Sequence, residues 1–304
     1  MVINHNKTGL QRVADVEVPD AFFHRMHTGI KQIDDLYGGE GILPGSIATV
    51  AAAPGSGKTT LYLQVCQALS NQGYSAAYIT GEESTEMIAY TCRRLNITDV
   101  LVACETELDN IVEFMEDVDF IVYDSFPCLT VDGKRLNRAG QEQAISKIVG
   151  AAKVAGTAMS IILHVTKSGG YKGSTTIPHA VDMNMSIEVD SEDPSVRYIS
   201  TDKNRYGSLA EVSTYFGYKG FDFDKKVESS GKMAKATSKG DRKAKELQAI
   251  KSLKEPPGIT VSRVCKALKV DATRANYLLR SLVQEGALEK FGRGQDAVWK
   301  HTHV

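Results

Sequence analysis

The sequence Ala51-Ala52-Ala53-Pro54-Gly55-Ser56-Gly57-Lys58-Thr59-Thr60 decides the fold of this chain. It fits the phosphate-binding pattern G-x-x-x-x-G-K-[ST] at every position except the first, where Ala52 replaces glycine. The apolar run Ile47–Val50 comes before it, and residues 61–69 follow with apolar side chains at helical spacing. Because a strand, a glycine-rich turn and a helix are the context this motif requires, we predict a nucleoside triphosphate site rather than a turn that only needs glycine.

The parts of this phosphate loop (residues 52–59) have different roles toward a nucleotide. Backbone N–H groups of the loop and of the helix that follows form a nest for anionic phosphates. Lys58 adds a positive charge at the β- and γ-phosphates, and the Thr59 hydroxyl can bind Mg²⁺. The residues predicted to contact the nucleotide are Ala53, Pro54, Gly55, Ser56, Gly57, Lys58, Thr59 and Thr60.

Composition and cysteine spacing exclude several classes of protein. Of the 304 residues, 42% are hydrophobic and 24% charged, which is typical of a globular protein with one large or two modest domains. The sequence has no apolar run of about 18 residues that would predict a membrane helix, and its first residues lack the apolar centre of a signal peptide. The five cysteines form no C-x-x-C pair, which argues against a zinc site and a disulfide framework. We expect a protein of the reducing cytoplasm.

The two parts of the chain carry opposite charge. Residues 1–224 contain 18 Lys and Arg against 29 Asp and Glu, whereas residues 225–304 contain 18 against 8. The net charge of −1 therefore hides an acidic first part and a basic second part. A basic region is typical of polyanion binding, although a solvated lysine-rich surface would have the same composition.

Strand-like and helix-like patterns alternate from Ile47 to about residue 223, which predicts an α/β domain over residues 1–224 with a mostly parallel sheet covered by helices. The later strands follow one another closely, so we expect antiparallel partners at one end of the sheet. The predicted strands are Ser46–Ala52, Ser75–Thr80, Leu101–Cys104, Phe120–Asp124, Met159–His164, Met183–Val189, Val196–Thr201 and Ala210–Tyr215. The predicted helices are Thr60–Asn71, Ser84–Leu95, Leu108–Glu116 and Gln141–Ala155.

The last part of the chain has a pattern of its own. Residues 225–241 are polar and rich in small and basic side chains, which predicts a flexible linker. Residues 242–304 predict three helices and a hairpin, a small winged helix-turn-helix domain in which Thr260 caps the second helix. The third-helix side chains predicted to face the core are Ala275, Leu278, Leu279 and Leu282.

Polar side chains on the opposite face of that third helix, and in the wing, suit the phosphates and base edges of duplex DNA. Domains of this fold often bind another protein instead of DNA, so the sequence leaves both kinds of partner open. The residues predicted to contact DNA are Arg274, Asn276, Arg280 and Arg293.

Three strand ends carry polar side chains that suit nucleotide hydrolysis. Asp124 ends the fourth predicted strand, where it would hold Mg²⁺. Glu82 follows the second strand and would orient the attacking water, with Glu83 as the alternative. His164 ends the fifth strand and would sense the γ-phosphate. Each also has a plain structural explanation: Asp124 as an ordinary aspartate at a strand end, the glutamates as an acidic helix start, and His164 as a histidine satisfied within the sheet.

Further motifs follow one another along the chain: Thr28-Gly29-Ile30-Lys31-Gln32-Ile33-Asp34-Asp35-Leu36-Tyr37-Gly38-Gly39, Leu43-Pro44-Gly45-Ser46, Gly81-Glu82-Glu83-Ser84, Arg93-Arg94-Leu95, Tyr123-Asp124-Ser125, His164-Val165-Thr166-Lys167 and Lys203-Asn204-Arg205-Tyr206-Gly207. Their order resembles the RecA superfamily, and most closely its bacterial RadA/Sms branch. Members of that branch have Phe where this chain has Tyr206.

The resemblance implies a RecA-like P-loop fold and an ATPase that forms a ring or filament on single-stranded DNA, with ATP and Mg²⁺ bound between subunits. Lys203 and Arg205 would reach the γ-phosphate on the neighbouring subunit, unless they are only a basic pair on the surface. The resemblance also implies that two loops, residues 127–141 and 166–178, lie where family members face DNA. The side chains expected to contact it are Lys134, Arg135, Arg138, Lys167, Tyr171 and Lys172.

The sequence also departs from the family pattern. RadA proteins begin with a four-cysteine zinc module and end with a Lon-like domain; we find neither here and expect no zinc and a compact core similar to phage-encoded RadA-like ATPases. The expected function is a DNA-dependent ATPase of recombination, repair or phage replication that promotes annealing, strand exchange or branch migration. The alternatives are a DnaB-like replicative helicase, a helicase loader, and a KaiC-like regulatory ATPase whose winged helix binds a promoter. The first is considered because the phosphate loop with Ala52 at its first position resembles that of DnaB helicases.

Removal of residues 225–304 is expected to weaken DNA binding and to flatten its salt dependence, because the deleted part carries the excess of basic residues. Each neutralised phosphate releases counterions, so fewer contacts lower the slope of affinity against salt concentration. Fluorescence anisotropy of the full and shortened chains at several salt concentrations measures this slope. An unchanged slope would mean that this region binds something other than DNA.

Overall fold

The computed structural model describes residues 11–164, 177–227, 247–253 and 259–268, and then 275, 278–279, 282–283, 287–291 and 298–301. The chain divides into two compact units, Met1–Glu228 and Ser229–Val304. None of the helices in these described ranges has the length and apolar character needed to cross a bilayer.

The first unit alternates strands and helices along the chain. Its strands are β1 Ile47–Ala52, β2 Ala76–Thr80, β3 Leu101–Cys104, β4 Phe120–Asp124, β5 Thr130–Val131, β6 Lys134–Arg135, β7 Ala158–His164, β8 Met183–Val189, β9 Val196–Asn204, β10 Glu211–Gly217 and β11 Gly220–Asp222. Its α-helices are α1 Lys31–Leu36, α2 Lys58–Asn71, α3 Thr85–Leu95, α4 Leu108–Glu113, α5 Arg138–Ala155 and α6 Ile177–Ala180.

Nine of these strands form one sheet in the order β11-β10-β9-β8-β1-β7-β4-β2-β3. The strands from β8 to β3 are parallel, whereas β8, β9, β10 and β11 pair in antiparallel fashion. This arrangement confirms the predicted mixed sheet, parallel for most of its width with antiparallel partners at one end.

The sheet is buried on both faces, which is why its central strands are continuous apolar runs. In β4, Phe120 and Val122 pack into one hydrophobic cluster, while Ile121 and Tyr123 pack into a second. Successive side chains of a strand point to opposite faces, so these two clusters are the layers above and below the sheet. All the parallel strands therefore present their carboxyl ends at one edge, between the two layers.

The segment expected to be a loop, residues 127–141, is mostly regular structure. Lys134 and Arg135 form β6, which pairs with β5, and Arg138 is the first residue of α5. The hairpin forms because Gly133 takes a positive φ and because the carboxylate of Glu107 accepts hydrogen bonds from the turn. The expectation of an open loop here was wrong in that respect.

Other elements differ from the sequence prediction as well: helices α1 and α6 were not predicted, and α5 begins at Arg138 rather than at Gln141. Strand β11 was not predicted, because three residues between turns give too short a pattern. Strand β9 runs on to Asn204 rather than ending at Thr201, which places Lys203 inside the strand.

The described part of the second unit has its own apolar core. It contains helical residues at 247–251, α7 Val261–Leu268, and the hairpin of β12 Leu288–Phe291 and β13 Val298–His301. The Thr260 hydroxyl accepts a hydrogen bond from the backbone N–H of Arg263, as expected of a helix cap. The side chains predicted to face the core, Ala275, Leu278, Leu279 and Leu282, are fully buried. The winged helix, the linker over 225–241 and the domain limits stay predictions.

Candidate nucleotide site

The phosphate loop connects the end of β1 to the start of α2 at the carboxyl edge of the sheet. Gly55 and Gly57 have φ values of 77° and 99°, a region that residues with a Cβ rarely adopt. A Cβ on Gly57 would also come within 2.9 Å of the Phe216 ring and 3.0 Å of the Phe221 ring. Glycine is therefore needed here for both its conformation and its size.

Ala52 shows why the first glycine of the pattern is dispensable. It is the last residue of β1 and pairs with His164 on one side and Ile187 on the other, so its backbone is extended. Any residue adopts that conformation. The departure from the motif leaves the geometry of the loop intact.

The Lys58 side chain lies along the loop and is largely buried. Its ammonium donates hydrogen bonds to the carbonyl oxygens of Ala52, at 3.1 Å, and Ala53, at 3.0 Å. Burial lowers the pKa of Lys58, and the nearby carboxylates of Asp124 and Glu82 act in the opposite direction. Two neutral carbonyls are modest partners for a buried cation, so a bound phosphate would be a stronger one.

Asp124 at the end of β4 is the centre of a group of oxygen atoms. Its Oδ2 accepts hydrogen bonds from the hydroxyl of Thr59, at 3.1 Å, and from the hydroxyl of Tyr78, at 2.5 Å. Burial, together with the charge of Asp124, raises the pKa of Tyr78 well above its usual value. Tyr78 therefore acts as a hydrogen-bond donor that fixes the orientation of the carboxylate.

These oxygen atoms fit Mg²⁺, which prefers hard oxygen ligands and keeps water and substrate phosphates in its coordination shell. Thr59 and Asp124 would hold the ion. The described ranges contain no cluster of three or more His, Cys, Asp and Glu side chains that could hold a metal, so water and phosphate oxygens would have to complete the coordination. The phosphate loop likewise fits a nucleotide, because the buried Ser56 hydroxyl finds no partner among the described residues.

Glu82 lies close to this group. Its carboxylate accepts hydrogen bonds from the hydroxyl of Ser125 and from the thiol of Cys128, the latter at 3.6 Å. The ends of β2 and β4 are tied together by a hydrogen bond from the Gly81 N–H to the Asp124 carbonyl at 2.7 Å. Glu82 is exposed to solvent, so a water molecule can reach the carboxylate beside the predicted metal site. Glu83 is exposed too, and its N–H is bonded to Thr80.

Lys203 and Arg205 form a separate group. The Lys203 ammonium donates to the carbonyl oxygens of Pro178, His179 and Val181 at the end of α6. Arg205 forms an ion pair of 3.1 Å with the buried carboxylate of Asp182. Asp182 also accepts hydrogen bonds from the Tyr206 hydroxyl and the Ile47 N–H.

Strand register fixes where this pair lies. Met183 lies beside Ala48 at the start of β1, and Asn204 at the end of β9 lies beside Met183. Lys203 and Arg205 therefore lie beside the amino-terminal end of β1. The phosphate loop of the same chain begins at the carboxyl-terminal end of β1. The length of β1 separates the two by about 15 Å.

Several residues predicted to act at the nucleotide site or to contact DNA lie partly or wholly outside the described residues. His164 ends β7 beside Ala52, at the start of the phosphate loop, but its side chain is not among the described parts. The remaining predicted DNA contacts, apart from those on the hairpin and α5, lie outside the described residues: Lys167, Tyr171, Lys172, Arg274, Asn276, Arg280 and Arg293.

Sequence reasoning missed three polar side chains that contact the residues of this site. Tyr78 lies within an apolar run and reads as core, and Ser125 reads only as part of a family motif. Arg197 alternates with apolar neighbours and reads as a surface position, yet it is only 5% exposed. A hydroxyl or a charge inside a strand that the pattern buries is the one signal that could have found them.

Replacing Tyr78 by phenylalanine is expected to weaken the Mg²⁺ dependence of nucleotide binding, because Asp124 then loses the hydroxyl that fixes the orientation of its carboxylate. Loss of such a supporting hydrogen bond typically costs about tenfold in metal affinity. Titration of Mg²⁺ against the thermal stability of the nucleotide complex measures the effect without relying on turnover.

Tyr123→Phe is the matched control, since the buried hydroxyl of Tyr123 has no hydrogen-bond partner among the described residues. It should keep the wild-type Mg²⁺ dependence. If the two variants respond alike to Mg²⁺, the proposed orienting role of Tyr78 is wrong.

Comparisons with known proteins agree with this geometry. Residues 26–118 match the family model described as "ATPase: KaiC". The DNA repair protein RadA of Pseudomonas aeruginosa is 31% identical over 216 residues, covering 69% of this chain and 47% of the relative. RadA of Escherichia coli is 30% identical over 213 residues, covering 68% and 45%.

The chain thus spans about half the length of the curated relatives it matches. Among solved structures, one described as an ATPase domain superimposes with a TM-score of 0.58 at 12% identity, covering 66% of this chain and 92% of that domain. At this identity the superposition supports the fold alone. The phosphate loop, the sheet order and the RadA relatives together establish that this chain carries a RadA-like ATPase domain of the RecA superfamily.

Proposed function

We propose that the protein is an ATPase stimulated by single-stranded DNA, which acts in recombination, repair or phage replication by promoting annealing, strand exchange or branch migration. The observation that carries this proposal is the position of Lys203 and Arg205 at the edge of the sheet opposite to the phosphate loop of the same chain. These cations serve a γ-phosphate only if a second copy supplies it, which requires a ring or a filament.

Each residue at the carboxyl ends of the strands has its own role in ATP hydrolysis. Lys58 binds the β- and γ-phosphates, and Thr59 and Asp124 hold the Mg²⁺ that neutralises their charge. Glu82 orients the attacking water, and Ser125 keeps that carboxylate beside the metal site. The charge that develops on the transferred phosphoryl group is stabilised by Lys203 and Arg205 of the neighbouring subunit.

Asp182 keeps Arg205 available for that role. Its carboxylate is almost fully buried and accepts hydrogen bonds from Tyr206, Arg205 and the backbone of β1. The Arg205 side chain is nevertheless about half exposed, at 47%. Asp182 anchors Nη1 of the guanidinium, whereas Nη2 makes a long hydrogen bond of 3.5 Å to the carbonyl oxygen of His179. A phosphate approaching from outside would replace that weak neutral partner with a stronger, charged one.

The β5–β6 hairpin is the described surface that suits single-stranded DNA. Lys134 and Arg135 are exposed on it, and Arg138 follows on the first turn of α5. Glu107 fixes the turn through the N–H groups of Asp132 and Gly133. A basic surface held on a rigid hairpin favours contact with a sugar–phosphate backbone. The winged helix would add a contact to duplex DNA.

A second candidate is a KaiC-like regulatory ATPase whose winged helix binds a promoter, which the match of residues 26–118 favours. DnaB-like helicase activity and helicase loading remain alternatives within the first class. Hydrolysis without DNA, with single-stranded DNA and with duplex DNA separates the classes.

We expect single-stranded DNA to raise the hydrolysis rate about tenfold or more, as for an enzyme whose DNA surface and nucleotide site are coupled. Lys58→Ala should abolish turnover under all three conditions, because the phosphates lose their main cation. A rate that neither DNA changes would favour the regulatory ATPase. Normal hydrolysis by Lys58→Ala would refute the site itself.

The double variant Lys203→Ala/Arg205→Ala is expected to bind ATP normally and to lose about 10³-fold in hydrolysis rate, the usual value of a cation supplied from a neighbour. Mixing it with the Lys58→Ala variant should restore part of the activity, because a Lys58→Ala subunit still offers its basic pair to an intact phosphate loop next to it. Turnover is measured across mixing ratios. No recovery at any ratio would contradict the shared site.

A further inference from the structure

A buried arginine lies behind the phosphate loop. Arg197, the second residue of β9, donates a hydrogen bond from Nε to the carbonyl oxygen of Ser56 at 3.0 Å. Its Nη1 donates to the carbonyl oxygens of Pro194, at 2.5 Å, and Val196, at 3.0 Å. The guanidinium carbon also lies 4.7 Å from the centre of the Phe216 ring.

Strand register explains why an arginine of β9 meets this loop. Ile187 in β8 lies beside Ala52 at the end of β1, and beside Ile199 in β9. Arg197 comes two residues before Ile199 on an antiparallel strand, so it lies beyond the carboxyl end of β1, where the phosphate loop begins. The two form a contact between distant parts of the chain that no local pattern predicts.

The charge of Arg197 has no negative partner in the described ranges. Its hydrogen-bond acceptors are neutral carbonyls, and no Asp or Glu among the described residues lies within ion-pair distance of it. Burial lowers the pKa of its guanidinium, but an arginine stays charged at neutral pH. A buried cation without a counter-ion is unfavourable unless an anion comes close.

The hydrogen bond to Ser56 also fixes the peptide group that follows. In a planar trans peptide the C=O of one residue and the N–H of the next point in opposite directions. With the Ser56 carbonyl turned toward Arg197, the N–H of Gly57 faces away from it. Gly57 precedes α2 in a left-handed conformation, and the rings of Phe216 and Phe221 close the side on which a Cβ would lie.

We propose that Arg197 is a positioning residue for nucleotide phosphates: it holds the Ser56–Gly57 peptide so that the Gly57 N–H faces the phosphates, and the phosphates balance its buried charge. The inference rests on the proposed nucleotide binding and adds to it a residue outside the phosphate-binding motif. It predicts a contribution to the ground-state binding of both ADP and ATP, because the N–H group faces the phosphates before and during the reaction.

The test is equilibrium binding of fluorescent ATP and ADP analogues to the full chain and to Arg197→Met. Both dissociation constants should rise about tenfold, the effect of losing one hydrogen bond to a charged group. In hydrolysis, KM should rise with little change in kcat, because the interaction is equally strong in ground state and transition state. A role in folding alone would lower the melting temperature and leave KM unchanged.

Arg197→Lys separates charge from geometry. It keeps a cation but cannot donate from the Nε position, so its dissociation constants should lie between those of the wild type and Arg197→Met. If Arg197→Met does not fold, Arg197→Lys decides alone. Arg12→Met, at an exposed arginine with no capping hydrogen bond, is the control for the loss of one surface charge and should bind like the wild type.

Wild-type affinity in a folded Arg197→Met would overturn the inference while leaving the nucleotide site in place. Equal loss in Arg197→Lys and Arg197→Met would overturn the electrostatic part of it. If the wild type itself binds neither analogue, the proposed function fails, and that outcome is distinct from both.

Discussion

The parallel pairing of β1 with β7 and β8 is the constraint on which the rest of the structure depends. Because all three strands run in the same direction, the chain must leave each at the same edge of the sheet. That edge collects the phosphate loop from β1, Glu82 after β2 and Asp124 from β4, although these segments are far apart in sequence. A shift of one residue in any strand pairing would turn the side chains of that strand to the other face of the sheet, and the polar residues at the strand ends would no longer lie together.

Burial gives this edge its chemistry. Two apolar layers bury Lys58 and Ser56 and partly bury Asp124, so these groups need a protein partner or a ligand, whereas Glu82 stays open to water. Asp124 finds Thr59 and Tyr78, Glu82 finds Ser125, and Lys58 finds two carbonyls of its own loop. Hydrogen bonds are stronger in such a setting than in water, which prepares the donors for phosphates before a nucleotide arrives.

Sequence reasoning predicted the residues whose chemistry is tied to a motif, and gave no prediction for those that only the sheet places at the site. Lys58, Thr59 and Asp124 follow from short patterns with a mechanism behind them. Tyr78 and Arg197 do not, because strand alternation says whether a side chain is inside but not which atom it meets. The sequence analysis did not predict the β5–β6 hairpin either, because its strands have two residues each and its turn is fixed by Glu107 from another segment.

The order of strands, which no local pattern encodes, decides how the two halves of the site relate. Strand β9 has Arg197 near its start, against the phosphate loop of its own chain, and Lys203 near its end, at the opposite edge. Six residues of strand separate them by about 20 Å. In the proposed assembly a single strand therefore serves two nucleotides: it supports the phosphate loop of its own subunit through Arg197 and offers Lys203 to the nucleotide of the neighbour. β9 pairs with β8 along its length to Asn204 and with β10 over Val196–Ser200, so one continuous element of the sheet joins the phosphate loop of a subunit to the basic pair that this subunit would offer to the next.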